Sequence, residues 1–309
     1  KKKYKVLPRA MFLQANSSKN IRDGTGLYSE KAKQVVNAIL NNTGAKEESS
    51  LGKTTFKLYG KGKDGFNIIS TQFSLHYFFE GTESLHGYLR NVSENCKVGG
   101  YLIGTCYDGK RLFKALSRKS KGESVFEMND NLEGKMWDIR KDYDNDDFED
   151  NDSCLGYEIS VYMDTIGKRF SEFLVNFDYL NQIMENYGFV KAPVKDVKKM
   201  GFDKSIGSFN ELFDKMEEDI ESRKIKKADV GDALLISSKE KRLSFFNNYF
   251  IYKKVHSVDA AQEEIHYVAK NVSSLTPDSQ DSKQDDVETP TPKQVRKVKK
   301  YKKKVKLPK

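Results

Sequence analysis

Strand-like and helix-like segments alternate along the first 120 residues, and this order restricts the fold more than any other feature of the sequence. The apolar segment RAMFLQANSSKNI ends in turn residues, and YSEKAKQVVNAILNN follows it with helical spacing. The strand Phe66–Ser70 comes next, then a helix at TESLHGYLRNVSENC whose end Gly99 and Gly100 mark. A further strand and helix continue the alternation. We therefore expect an α/β protein with a parallel sheet and helices on its faces.

The second half of the chain predicts a different order of elements. GYEISVYM alternates like a strand, FLVNFDYLNQIMENYGF reads as a strand that leads into a helix, and LSFFNNYFIYKK predicts a strong strand. From about residue 257 the apolar periodicity fades, and the composition becomes that of a disordered segment. We expect one domain over residues 1–256, a polar linker over 257–292 and a basic tail over 293–309.

The net charge of +9 is concentrated in that tail. Residues 293–309 hold ten Lys and Arg and no acidic residue, whereas the other 292 residues carry 44 basic and 45 acidic side chains. A tail of this kind predicts an arm that binds polyanions such as RNA. The pattern leaves a second interpretation open, in which the tail is a disordered solubilising or nuclear-targeting end.

Several classes of protein and site are disfavoured by the sequence. Cys96, Cys106 and Cys154 are odd in number and lack CxxC spacing, which argues against a disulfide framework or a zinc site and for a reducing compartment. LGKTT lacks the first glycine of a phosphate-binding loop, and DYDNDDFEDND lacks the glycine and the final glutamate of a calcium loop. These spacings predict no metal site. The sequence has no secretory signal and no apolar run of eighteen residues, so we expect no membrane span.

An aromatic stretch, FNIISTQFSLHYFFEG, is the strongest candidate for a site. Phe73, His76 and Tyr77 are spaced i, i+3, i+4, so they share one face if this turn is helical. Together with Glu80 they would line a slot for a planar ligand. Core packing remains the alternative, because aromatic residues at this spacing usually belong to the core.

Polar residues follow the predicted strands at the edge where ligands collect in an open parallel sheet. Asn16, Gln72 and Cys106 all lie at or just after such strand ends.

The aromatic stretch and the segment LHGYLRNVSENCKVGGYLIGTCYDGKRLF that follows it resemble the messenger-RNA cap guanine-N7 methyltransferases. The resemblance extends to SSKNI upstream and to SEFLVNF and LSFFNNYFIYKKV downstream, so it covers nearly all of residues 7–255. FLQANSSKNIR, GTCYDG and IMENYGFV look most like the capping enzymes of giant DNA viruses. The resemblance implies a Rossmann-like class I methyltransferase fold that depends on S-adenosylmethionine.

The resemblance also implies a guanine-binding set. Phe73 and Tyr77 would stack on the cap guanine, and His76 would hydrogen-bond its edge. Glu172, in SEFLVNF, would accept hydrogen bonds from guanine N1–H and the 2-amino group. Asn247 lies near the position where relatives carry a tyrosine that contacts the cap.

For the cofactor, S-adenosyl-L-methionine, the resemblance implies three residues. Gln72 would lie against it, and Asn16 and Ser17 would meet its adenine. Asn16 replaces an aspartate of most relatives. The glycine-rich turn and the ribose-binding acid of the fold have no counterpart in residues 1–15, so we expect a fragment that lacks the first strands and is inactive by itself.

The resemblance implies transfer of a methyl group from S-adenosylmethionine to N7 of the cap guanine. No catalytic general base is expected, since N7 has a free lone pair. The alternative is a catalytically silent module that binds the cap or RNA. Expected partners are the capped 5′ end of mRNA, RNA along the basic tail, and upstream triphosphatase and guanylyltransferase domains, with no membrane. The expected location is the cytoplasm, or a viral factory or virion if the protein is viral, and the protein is not expected to be secreted.

Overall fold

A mixed sheet lies at the centre of the protein. The computed structural model describes residues 10–275. The strands of this sheet are β1 (Phe66–Gln72), β2 (Cys96–Tyr107), β7 (Phe189–Lys191), β8 (Ile206–Ser208) and β9 (Asn247–Lys254). Their order is β1-β2-β9-β7, and β8 pairs with β9 as well. Within residues 10–275 β1 and β2 are the one parallel pair, so the expected parallel sheet is in fact mixed.

Helix α4 (Thr82–Asn95) connects the two parallel strands. Such a connection is required because the chain must return to the same end of the sheet before the second parallel strand can begin. Leu85, Leu89 and Val92 recur at helical spacing and are buried in the main core together with Phe79 from the preceding turn. Phe79 therefore anchors the aromatic stretch in the core.

Helix α10 (Ala260–Leu275) packs against α4. Arg90 of α4 forms an ion pair with Glu264 of α10 at 2.9 Å. The ring of Tyr267 stacks on the buried ring of His86, with 4.0 Å between the two centroids.

This helix corrects the predicted domain boundaries. Residues 257–292 are predicted from the sequence to form a polar linker, and for Ala260–Leu275 that prediction is wrong, because Glu264 and Tyr267 of the helix contact α4. The rest of the predicted linker and the basic tail over 293–309 lie outside the described residues.

A second, antiparallel sheet follows the first along the chain. Its strands, in spatial order, are β3 (Ser124–Met128), β4 (Lys135–Lys141), β5 (Glu158–Met163) and β6 (Lys168–Phe173). One face carries Trp137, Ile139 and Val161, which pack against Leu112 and Leu116 of α5 (Gly109–Leu116).

Two strands of this sheet, β3 and β4, are not anticipated from the sequence. β4 includes Asp138, which is completely buried on the other face of the sheet. Its carboxylate accepts from Arg169 at 2.7 Å and from Lys135, and these cations offset the cost of burying the charge. Trp137 and Ile139 alternate with the polar Asp138 and Arg140, but this alternation spans only a few residues.

The remaining helices surround these sheets. They are α1 (Glu30–Val36), which continues into a π-helix (Asn37–Asn41), α2 (Glu48–Leu51), α3 (Lys53–Leu58), α6 (Phe177–Asn186), α7 (Val194–Lys199), α8 (Phe209–Glu221) and α9 (Ser238–Ser244). Short 3₁₀ helices cover Leu75–Glu80, Asp152–Cys154, Lys227–Asp229 and Gly231–Leu235. Among the described helices, none has the length and apolar character needed to span a membrane.

Two local predictions near these elements are wrong. The segment RAMFLQANSSKNI is not a strand in its described part, where Ala15 makes one isolated bridge to Leu27. The side chain of Asn16 accepts from the backbone N–H of Ser18 at 3.0 Å, which forms a local turn instead. Gly99 and Gly100 do not end α4, because the helix ends at Asn95 and both glycines lie within β2.

Candidate functional site

A cavity of about 580 Å³ opens where the ends of the two sheets meet. It contains all five residues predicted for the cap guanine: Phe73, His76, Tyr77, Glu172 and Asn247. These residues come from the end of β1, the following 3₁₀ helix, β6 and the start of β9. The fold therefore brings together side chains that are separated by up to 174 positions in the sequence.

Phe73 is held in an unusual backbone conformation directly after β1. Its φ of +48° lies in the left-handed region, which costs free energy for a residue with a side chain. The backbone N–H donates to the carbonyl of Thr105 at 2.8 Å. The ring makes an edge-to-face contact with the ring of Phe209, with 6.2 Å between the two centroids. Phe73 stays 55% exposed and lines the cavity.

His76 and Tyr77 lie on the 3₁₀ helix, and Phe73 precedes it. The expected helical turn is thus confirmed only in part, although all three rings line one cavity. Leu75 and Phe79 of this helix are buried and anchor it, whereas the Tyr77 ring is 44% exposed. Burial and the nearby Glu172 raise the pKa of the Tyr77 hydroxyl, which stays a hydrogen-bond donor at neutral pH.

Glu172 is a buried carboxylate inside the cavity. It lies in β6, opposite Ile159 of β5, and is 8% exposed. Its Oε2 atom has no hydrogen-bond partner among residues 10–275. Burial raises the pKa of Glu172 to about 7. A glutamate placed in this way is not an ordinary surface residue.

His76 faces the same carboxylate without forming a salt bridge. Its Nδ1 lies 3.7 Å from Oε2 of Glu172, which is beyond hydrogen-bond distance. Burial lowers the pKa of His76 to about 4, so the imidazole is neutral at physiological pH. Both ring nitrogens are buried and have no partner in the described part of the chain.

Asn247 occupies the wall formed by the start of β9. Its Nδ2 donates to the carbonyl of Ser244 at 3.0 Å, while its Oδ1 is buried and unpaired within the described residues. The guanidinium of Arg111 donates to the carbonyl of Phe245 at 2.8 Å and to the side chain of Asn248 at 2.7 Å, which holds this wall in place.

Unpaired buried polar atoms are concentrated in the cavity. Six such side-chain atoms occur in the described residues, and four of them belong to His76, Glu172 and Asn247. Folded proteins pair nearly all their buried polar groups, so a cluster of exceptions indicates a place where a ligand completes the hydrogen bonds. The site can thus take a flat ligand that carries both hydrogen-bond donors and acceptors.

The three residues predicted for the cofactor do not line one common cavity. Gln72 is exposed at the end of β1, where its Oε1 accepts from the hydroxyl of Thr105 at 2.8 Å. Ser17 lines a separate cavity of about 310 Å³ against β1 and α4. The side-chain oxygen of Asn16 is already bonded to Ser18. A role of Gln72 and Ser17 in cofactor binding stays a prediction, and Asn16 would have to release its local bonds to take part.

A second group of residues that line the large cavity is not predicted from the sequence. These are Met136, Trp137, Met163, Ile166, Phe170 and Leu243. A signal was present in β6, because Phe170 and Glu172 are two positions apart and therefore share one face of the strand.

The fold and the site define an α/β protein with a cleft for a planar, hydrogen-bonding ligand at the ends of its strands. The family model for the mRNA (guanine-N(7))-methyltransferase domain matches residues 29–255. The chain therefore belongs to this family.

Individual relatives are more distant. The chain is 24% identical to the mRNA cap guanine-N(7) methyltransferase of Eremothecium gossypii over 61% of this chain and 42% of that protein. The probable mRNA-capping enzyme of Acanthamoeba polyphaga mimivirus is 22% identical over 64% of this chain and 18% of that protein. An S-adenosylmethionine-dependent methyltransferase from Clostridium acetobutylicum matches with a TM-score of 0.31 and 12% identity, covering 62% of this chain and 59% of that one.

Proposed function

We propose that this protein transfers a methyl group from S-adenosylmethionine to N7 of the guanine cap of mRNA. The observation that carries the proposal is the group of unpaired buried polar atoms of His76, Glu172 and Asn247, beside the exposed rings of Phe73 and Tyr77. A guanine offers two flat faces for the rings and two donors on one edge for a carboxylate. Membership in the cap methyltransferase family supports this choice of ligand.

Glu172 is proposed to select guanine. Its ionised carboxylate accepts from N1–H and the 2-amino group, and hydrogen bonds to an ionised acceptor are about twice as strong as neutral ones. Adenine lacks both donors. Phe73 and Tyr77 add stacking, which contributes affinity for every base and therefore no selectivity. Neutral His76 and the free Oδ1 of Asn247 bond the remaining polar edge.

The reaction requires positioning more than proton transfer. Guanine N7 has a free lone pair, so no residue has to act as a general base. The walls of the cavity hold the base in one orientation and exclude water, and these effects account for large rate increases when the reacting atoms are aligned. S-adenosylmethionine would supply the methyl group, and Gln72, Ser17 and Asn16 are the residues proposed to contact it.

The wider assignments are part of the same proposal. The chain spans 42% of the length of the fungal relatives it matches, so the activity of the whole protein is inferred and not established. The proposed partners are the capped 5′ end of mRNA, RNA contacted by residues 293–309, and triphosphatase and guanylyltransferase domains of the same polypeptide. We propose residues 1–256, extended by α10, as the methyltransferase domain and the cytoplasm as its location.

The test compares GpppA with ApppA as ligands of this chain by titration calorimetry. The unmodified protein should bind GpppA and discriminate against ApppA. Glu172→Gln should weaken GpppA binding by about 30-fold, or ~2 kcal/mol. The glutamine side chain has no charge, and in one of its two orientations its NH2 group faces the guanine donors, where an acceptor is needed. Phe73→Ala should weaken both ligands equally. Equal binding of GpppA and ApppA by the unmodified protein would contradict the guanine assignment.

Methyl transfer from labelled S-adenosylmethionine to GpppA then tests the activity itself. Product formation supports the enzyme, whereas selective GpppA binding without product, in this chain and in a longer polypeptide that contains it, would support a silent cap-binding module.

A further inference from the structure

The large cavity continues beyond the residues assigned to guanine. Its second end is formed by apolar side chains, among them Ile166, Phe170 and Leu243. Ile166 is 49% exposed and Phe170 is 40% exposed, whereas Trp137 behind them is 1% exposed. Large apolar side chains that remain open towards a cavity indicate a surface that another molecule covers.

The register of β6 relates this second end to the first. Phe170 and Glu172 point to the same face of the strand, and two residues of an antiparallel strand extend about 7 Å. Val161, which pairs with Phe170 in the neighbouring strand, also lines the cavity. The Phe170 ring therefore begins roughly where a guanine held by Glu172 ends.

Hydrogen-bond acceptors border the second end. Asp164 and Thr165, in the turn between β5 and β6, line the cavity, and their side chains make no hydrogen bond within residues 10–275. Glu240 of α9 also lines the cavity; its carboxylate accepts from the backbone N–H of Ser237 at 2.6 Å, and this bond lowers the pKa of Glu240. Two carboxylates repel phosphate groups, but they attract the amino groups of a base.

We propose that this second end binds the base of the nucleotide that follows the cap guanosine. This inference rests on the proposed function, because it needs guanine at Glu172. The 5′–5′ triphosphate has many rotatable bonds, so the second nucleoside can fold back beside the first while the phosphates stay in solvent. Phe170 stacks on the base, and Asp164 accepts from its amino group. The subsite favours purines, which stack over a larger area and carry an amino group in adenine and guanine, and it disfavours uracil, which has none.

The experiment measures binding of GTP, GpppA and GpppU to the unmodified chain and to Phe170→Ala. GTP fills only the guanine end. We expect GpppA to bind more tightly than GpppU, and Phe170→Ala to weaken GpppA by roughly tenfold, the effect of one base stacked on one ring. GTP binding should change by less than about twofold under the same conditions. Asp164→Ala should reduce the preference for GpppA over GpppU.

Phe126→Ala is the matched control. Phe126 lies in β3 of the same sheet and is 45% exposed, but it does not line the cavity. Its removal should leave all three affinities unchanged.

The outcomes separate the subsite from the proposed function. Equal loss of GTP and GpppA binding in Phe170→Ala would place Phe170 in the guanine end and overturn the subsite. Unchanged GpppA binding in that variant would overturn it as well. If the unmodified chain binds neither GTP nor GpppA, the guanine site itself is wrong and the subsite falls with it.

Discussion

Replacing Glu172 by glutamine should make the protein more stable above neutral pH while it weakens ligand binding. The carboxylate is buried in the cavity, and burial raises its pKa from an ordinary 4.5 to about 7. At higher pH the folded protein must hold a negative charge that no described residue pairs at Oε2. Glutamine has nearly the same shape and never carries this charge.

The size of the effect follows from the two pKa values. In the unfolded chain the carboxyl group loses its proton near pH 4.5, whereas in the folded protein it does so near pH 7. Between these values the folded state binds more protons than the unfolded state, so the free energy of unfolding of the unmodified protein falls as pH rises. The difference between the two pKa values corresponds to about 3 kcal/mol in the free energy of unfolding. The stability of Glu172→Gln relative to the unmodified protein should therefore increase by about 3 kcal/mol from pH 4.5 to pH 8, with most of the change below pH 7.

Urea unfolding at several pH values measures this difference. The single tryptophan of the chain, Trp137, is buried beside the cavity and provides the fluorescence signal. His76, whose pKa burial lowers to about 4, changes stability with the opposite sign, but it is present in both proteins and cancels. Glu133→Gln, at an exposed turn, is the matched control for a glutamate-to-glutamine replacement away from the cavity.

A difference between Glu172→Gln and the unmodified protein that stays constant with pH would refute the reasoning. The pKa of the same carboxylate also predicts how ligand affinity depends on pH. Because the proposed contact joins the guanine donors to the ionised carboxylate, the affinity of the unmodified protein for GpppA should rise about tenfold per pH unit up to roughly pH 7 and then level off. A flat profile in the same range would remove Glu172 from the guanine contacts.

Three further perturbations have expected outcomes. Arg111→Ala leaves the side chain of Asn248 and a carbonyl of the cavity wall without their donor, so urea unfolding should show a loss of about 1–2 kcal/mol, and an undiminished stability would argue against this role. Tyr267→Ala removes the ring stacked on His86, so amide hydrogen exchange in α10 should accelerate by roughly tenfold while exchange in β9 stays unchanged. Deleting residues 293–309 removes ten cations, so the slope of log K against log salt for single-stranded RNA should become shallower by up to about 7, and an unchanged slope would leave the tail without a role in RNA binding.

Local pattern alone predicted much of the framework around the site. The run of apolar residues in β1, the spacing of Leu85, Leu89 and Val92 in α4, and the dense β-forming residues of β9 are properties of neighbouring residues. Elements of this kind can be recognised because their own side chains supply the signal. The resemblance carried by FNIISTQFSLHYFFEG added Phe73, His76 and Tyr77 as proposed guanine-binding residues, which periodicity could not distinguish from core.

Other features depend on contacts that no local pattern contains. The buried Asp138 of β4 pairs with Arg169 of β6, and α10 packs on α4 through contacts with Arg90 and His86. Neither partner is visible in the segment itself. The linker prediction is wrong over Ala260–Leu275 for this reason, since a helix in a protein gains most of its stability from tertiary packing of one face.

The composition of the site was determined by the sequence, and its chemistry by the tertiary structure. The sequence supplies a phenylalanine, a histidine and a tyrosine close together, with a glutamate about a hundred residues away. Only the folded chain buries Glu172 against His76, raises the pKa of one and lowers that of the other, and leaves their polar atoms unpaired. A pKa and an unsatisfied hydrogen bond are properties of surroundings, and residues distant in sequence provide those surroundings.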